Sequence, residues 1–193
     1  IKVRLRNVKN AHEILEQSNY VIKNPKELKG SFKTIFNNTN PIRLEIGMGK
    51  GQFIINMAKK YPDINFIGVE KYESVLVRAV QKVEEEQIDN LKFICIDAKE
   101  LNEVFDHEID TLHLNFSDPW PKNRHHLRRL SSSMFLDKYD SIFKDKKVIE
   151  MFKKLIDVSG IGPKVAMGIL SKLDVNDIIC AILDSNITLI STC

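Results

Sequence analysis

Apolar and polar positions along this chain fall into a regular pattern from residue 42. IRLEIG (42–47) and INFIGVE (64–70) are short apolar runs of strand length. Between them, GQFIINMAKKY (51–61) places Phe53, Ile54, Met57 and Ala58 at helical spacing. SVLVRAVQKVEEE (74–86) carries Leu76, Val80 and Val83 at i, i+4 and i+7, which predicts a second helix. LKFICID (91–97) and IDTLHLNF (109–116) read as a third and a fourth strand. Strands alternating with helices predict a parallel, doubly wound α/β sheet. Ligands of such sheets sit outside the carboxyl ends of the strands.

The flanks are less regular. AHEILEQ (11–17) reads as a short helix, and residues 18–40 are polar and turn-rich, ending in the loop NNTNP. SSSMFLDKYDSIFKD (131–145) predicts a helix with Ser131 to Ser133 as candidate N-caps. KKVIEM could open a fifth strand, yet KKVIEMFKKLIDV (146–158) also puts Val148, Ile149, Phe152, Leu155 and Ile156 at helical spacing. Beyond it come a glycine-rich hairpin, a helix opening with Pro163, and a helix over 175–185 behind Asp174 as N-cap. Residues 147–193 hold 25 apolar residues in 47, denser than the chain as a whole, so the character changes between Lys146 and Met151. Three regions result: a basic arm with a helix (1–40), an α/β domain (41–150) and a helical segment (151–193).

Composition narrows the classes. At 193 residues with 43% hydrophobic and 28% charged, the chain can bury a real core and reads as soluble and globular. It has no run of about 18 apolar residues that would span a membrane. The basic start, IKVRLRNVKN, has no apolar stretch after it, and it begins at Ile1 rather than Met, as a trimmed start would. Cys95, Cys180 and Cys193 are scattered, with no CxxC or Cys/His cluster, so neither a metal site nor a disulfide framework is expected. A reducing cytoplasm is the simplest setting. The net charge of +3 is uneven: residues 1–40 carry eight Lys/Arg against three Asp/Glu, an excess that suits a nucleic-acid partner.

The chemistry gathers where strands end. EIGMGKG supplies Glu45, Gly47, Gly49 and Gly51. These glycines run GxGxG; the dinucleotide fingerprint GxGxxG would need a glycine at Gln52. An acid two residues before the first glycine resembles the usual form in class I S-adenosylmethionine (SAM) methyltransferases. A carboxylate there suits the amino and sulfonium charges of that cofactor and repels a pyrophosphate. Glu70 closes the second strand, where an acid can accept both ribose hydroxyls of a nucleoside. Asp97 closes the third, placed to accept an adenine amino group, and Ala98 leaves room for the ring. Singly, each acid reads as an ordinary solvated strand end. Together, on one edge with the glycine loop, they predict a nucleoside-type cofactor.

NFSDPWPKNRHHLRR (115–129) follows the fourth strand. With RLRNVKNAHEI, LEIGMGKGQFI, NFIGVEKYESVLVRAV and CIDA, it makes residues 1 to about 150 resemble the bacterial tRNA (guanine-N7)-methyltransferases. The resemblance implies a Rossmann-like SAM methyltransferase sheet acting on a guanine of tRNA. It implies that Glu45, Glu70, Asp97 and Asp118 line the cofactor site and that Asp118 is also catalytic. Lys122 would touch substrate, and Arg124, His125, His126, Arg128 and Arg129 would meet tRNA. The residue types suit that chemistry. Guanine N7 has a free lone pair, so alignment with the methyl group is the main task. A carboxylate can stabilise the positive charge that forms on the purine. Pro119 and Pro121 stiffen the loop. Trp120 is either a stacking surface for a base or a plug beneath the loop. The basic block suits phosphates, although such runs are often only solvated faces. His113, between Leu112 and Leu114, reads as a satisfied core histidine.

The family's sheet has seven strands, and its TD-type and TKFE-type motifs are not found in this chain. Instead, VSGIGPKVAMGIL and its flanks resemble the helix-hairpin-helix domain of the Holliday-junction subunit RuvA. That resemblance implies that Gly160 and Gly162, with Lys164 beside them, could cradle a DNA phosphate; the alternative is a plain helical turn. The expectation is a chain of two joined parts. Its function is that of a tRNA methyltransferase with lost or reduced activity, a DNA-junction-binding module, or an inactive chimera. An incomplete sheet would leave the fourth strand, or its neighbour, as an uncovered edge.

Overall fold

The computed structural model describes residues 8–114 and 133–184. At its centre stand four parallel strands: β1 (Ile42–Ile46), β2 (Asn65–Glu70), β3 (Leu91–Cys95) and β4 (Thr111–His113), in the order β3-β2-β1-β4. The chain starts in the middle, steps outward to β3 and returns to place β4 on the other side of β1. That reversal makes a topological switch point between β1 and β4, and the crevice of such a sheet opens there. The helices are α1 (Ala11–Gln17), α2 (Gln52–Lys60), α3 (Glu73–Glu86), α4 (Leu101–Val104), α5 (Ser133–Ile142), α6 (Lys146–Ile156), α7 (Pro163–Lys172) and α8 (Val175–Leu183).

Alternation along the strands divides the apolar residues between two faces. On the first, Leu44, Ile46, Ile67, Val69, Ile94, Leu112 and Leu114 pack with Phe32, Phe105, Tyr139 and Phe152. On the second, Phe66, Leu91 and Phe93 pack under Leu15 of α1, Ile54 and Ala58 of α2, and Leu76, Val80 and Val83 of α3.

Residues 18–40, which look like a polar connection, are built into this body. Two 3-10 turns, Pro25–Leu28 and Phe32–Phe36, bring Phe32 into full burial. The buried Glu108 holds them there. Its carboxylate accepts the backbone N–H of Gly30 (2.9 Å), Phe32 (2.9 Å) and Asp106 (3.2 Å). Residues 20–22 also lie along β3: Phe93 N–H donates to Tyr20 O at 2.8 Å and Ile22 N–H to Phe93 O at 2.9 Å.

KKVIEM opens no strand. It begins α6, because the Asp145 carboxylate accepts the Lys147 N–H at 2.8 Å and caps the helix. The helical register then puts Ile149, Phe152 and Leu155 into the core. Nor does β4 lie bare. Ile109 N–H donates to Ile142 O and Lys144 N–H to Ile109 O, both at 3.0 Å, forming one parallel bridge from Ile109 to Phe143. Helix α7 packs against β4, and Ala166, Met167 and Ile169 of α7 and Ile178 of α8 join the same core as Leu112. The C-terminal helices thus shield the apolar surface that four strands alone would expose.

Candidate functional site at the carboxyl edge of the sheet

The turn after β1 is shaped by its glycines. Gly47, Gly49 and Gly51 have φ of 69°, 60° and 73°, a left-handed backbone that favours glycine. Gly51 is further constrained by a close approach. A Cβ there would lie 2.8 Å from the Ala79 Cβ, so this glycine lets α2 pack on α3. At Gly49 a Cβ would meet open space, so at that point the loop faces room rather than protein.

Glu70 fastens this loop to the end of β2. One carboxylate oxygen accepts the Gly49 N–H at 3.0 Å, and the other accepts the N–H groups of Lys71 (2.9 Å) and Tyr72 (3.1 Å). Asp97, at the end of β3, accepts the Lys99 N–H at 3.1 Å and pairs with the Lys71 ammonium at 2.7 Å. Partial burial pushes its carboxyl up, but the Lys71 hydrogen bond, the Lys99 N–H and the charges of both lysines outweigh that and hold it below the usual carboxylate range. Lys71, which ties the ends of β2 and β3 together, was not singled out from the sequence. Its only signal there is its place after Glu70. Ala98 begins a short 3-10 turn and is partly buried against the core.

Glu45 is almost fully buried and pairs in register with Gly68 on one side and His113 on the other. His113 is buried as expected, with its ring edge-on to Phe53 of α2 at 5.2 Å between centroids. It is not satisfied, however: its Nε2 has no hydrogen-bond partner among the described residues. Burial, with the Arg43 charge, pushes its imidazole down to about 4.

Glu45, Glu70, Asp97, Ala98 and the glycine loop therefore share one edge of the sheet, and carboxylates beside a glycine turn suit a cationic nucleoside. Asp118, Lys122, Arg124, His125, His126, Arg128 and Arg129 lie outside the described residues. Gly160 and Gly162 sit between α6 and α7, remote in the chain from this edge. A cleft of about 350 Å³ opens by the amino ends of β1 and β4 and is lined by Arg43, Asp110, Lys147 and Asp174 among others. Its acids are engaged in holding the fold: Asp110 accepts the Ile42 N–H and Asp174 the Asp177 N–H, both at 2.8 Å.

This sheet order defines a doubly wound α/β protein whose ligand edge lies at the carboxyl ends of its strands. Residues 39–159 match the family model Methyltransf_4, described as "Putative methyltransferase", and the chain belongs to that family. The match continues past the compositional change at Lys146 to Met151. A tRNA (guanine-N(7)-)-methyltransferase of Lachnoclostridium phytofermentans is 52% identical over 139 residues, covering 72% of this chain and 65% of the relative. One of Oceanobacillus iheyensis is 52% identical over 142 residues, covering 72% and 67%. One of Bacillus subtilis is 49% identical over 142 residues, with the same shares. The chain thus spans about two thirds of the length of these relatives, 65% for the first. Among solved structures, that of the antibiotic-resistance methyltransferase Kmr superposes with a TM-score of 0.49 at 17% identity, covering 60% of this chain and 55% of that one.

Proposed function

We propose that this chain binds SAM at the carboxyl edge of its sheet and serves methyl transfer to N7 of a guanine in tRNA. One observation carries the reading: a left-handed glycine turn and the carboxylates Glu45, Glu70 and Asp97 share the edge that faces the switch point. The relatives' names supply the substrate.

When bound, SAM supplies an electrophilic methyl group on a sulfonium centre. The chain's own residues hold and aim. Glu70 takes the ribose hydroxyls while fastening the glycine loop, and Asp97 takes the adenine amino group beside Ala98. Glu45 balances the positive charge. To Asp118 falls the role of stabilising the charge that forms on the purine as N7 is methylated. Lys122 and the cations from Arg124 to Arg129 hold the RNA. No general base is needed, because the N7 lone pair is already free. The test is incorporation of tritiated methyl groups from SAM into unmodified tRNA, followed by nucleoside analysis. Label in 7-methylguanosine alone is expected. Label in another nucleoside, or a folded protein that takes up no SAM, would overturn the reading.

A second reading concerns the turn between α6 and α7. Gly160 is left-handed at φ 87°, and a Cβ at Gly160 or Gly162 would meet nothing within 4 Å. An open turn ahead of a helix N-terminus suits a DNA phosphate. If it binds DNA, replacing Gly162 with a bulky residue abolishes the fluorescence anisotropy signal on branched DNA. Wild-type protein that leaves such DNA free at low salt would end this reading.

A further inference from the structure

We infer that His113 contacts the amino-acid end of SAM, its Nε2 sharing the ligand's ammonium group with the Glu45 carboxylate. The inference rests on the reading that the carboxyl edge holds SAM.

Position comes first. Glu45 and His113 are register partners on β1 and β4, so both side chains leave the same sheet face beside the switch point. Glu70 and Asp97 end β2 and β3, where the ribose and the adenine are expected. Continuing in the same direction across the sheet, β1 and β4 come next. Three strand spacings of about 4.8 Å cover roughly 14 Å, comparable to SAM in an extended form. The part of the ligand left for β1 and β4 is the methionine.

Chemistry comes second. His113 is only 7% exposed, and its Nε2 has no partner among the described residues. A buried polar atom without a hydrogen bond is costly and calls for an explanation. A ligand that supplies the missing bond is such an explanation. An ammonium has three N–H donors, more than one carboxylate needs, and a neutral imidazole offers one lone pair. The ring must stay neutral, because an imidazolium would repel both the ammonium and the sulfonium. The low-lying titration of His113 meets that requirement at neutral pH. Phe53, from the first turn of α2, lies edge-on to the ring and offers it no polar group.

The test is calorimetric titration with two ligands, SAM and 5′-methylthioadenosine, which keeps the nucleoside and lacks the amino acid. For wild type, His113→Phe and His113→Gln, folding is checked by circular dichroism, and His113→Leu replaces the phenylalanine variant if that ring crowds the site. The apolar variant should bind SAM about 10- to 100-fold more weakly, the range for losing a hydrogen bond to a charged group. Its affinity for methylthioadenosine should stay within about twofold, and glutamine, which keeps an acceptor, should recover most of the SAM affinity. Unchanged SAM affinity in the apolar variant, an equal loss for both ligands, or no recovery by glutamine would overturn the role of His113 alone. Wild-type protein that binds neither ligand would overturn the SAM reading, and this inference with it.

Discussion

One row of residues crosses the second face of the sheet: Phe93, Gly68, Glu45 and His113, paired strand to strand. Its two halves behave differently. At the β3–β2 end, Phe93 is fully buried, and Gly68 is a glycine because a Cβ there would collide with the Met48 sulfur and press on Phe93 at 3.0 Å. At the β1–β4 end the row turns polar, with a buried carboxylate beside a buried imidazole. The row before it repeats the pattern, with Leu91 and Phe66 followed by Arg43 and Thr111. The apolar half holds the fold together, whereas the polar half costs stability and sits where the topology opens a crevice. Burial is thus no guide to role on this face; the strand and the neighbours are.

Mutations separate the halves. Phe93→Ala, in the apolar half, should cost about 3–5 kcal/mol in urea unfolding, while protein that remains folded keeps its affinity for SAM. In the polar half, His113 should make stability depend on pH. Its folded titration lies near 4, below the ordinary 6.5, so the unfolded chain binds more protons between those values. Stability is therefore undiminished by this group above about pH 6.5 and falls as pH drops from there to about 4, by on the order of 3 kcal/mol. Unfolding curves across this range should flatten in His113→Phe, and identical curves for the two proteins would break the contrast. Gly51→Ala acts on both halves, since it strains a left-handed residue and pushes α2 off Ala79. About 1–3 kcal/mol of stability should go, together with SAM affinity. The smallest effect belongs to Lys71→Met. Its half-exposed ion pair with Asp97 should change stability by about 1 kcal/mol or less. Removing the ammonium should still raise the Asp97 titration, visible by carboxyl NMR.

The sequence showed one half more clearly than the other. Helices α1, α2 and α3 and strands β1 to β3 fall within a residue or two of where periodicity puts them, because each has one apolar face or is buried on both. The 3-10 turns of residues 25–36 were not legible. They are too short to show a period, and they depend on Glu108, whose burial has no local signal in DHEID. KKVIEM is ambiguous on its own, since a short β-branched run fits strand or helix, and the Asp145 cap and the apolar residues further along decide for helix. The strand-end acids were legible as a group. Lys71 on Asp97 and the missing partner of His113 were not, because both depend on which strands lie side by side.

The most direct test of the carboxyl edge as a SAM site is calorimetric titration of the folded chain with SAM, alongside Glu70→Ala. One SAM should bind per chain, and removing the Glu70 carboxylate, which fastens the glycine loop, should weaken binding at least about tenfold. A folded wild-type protein that binds no SAM, or a Glu70→Ala variant that binds it as well as wild type, would contradict this assignment.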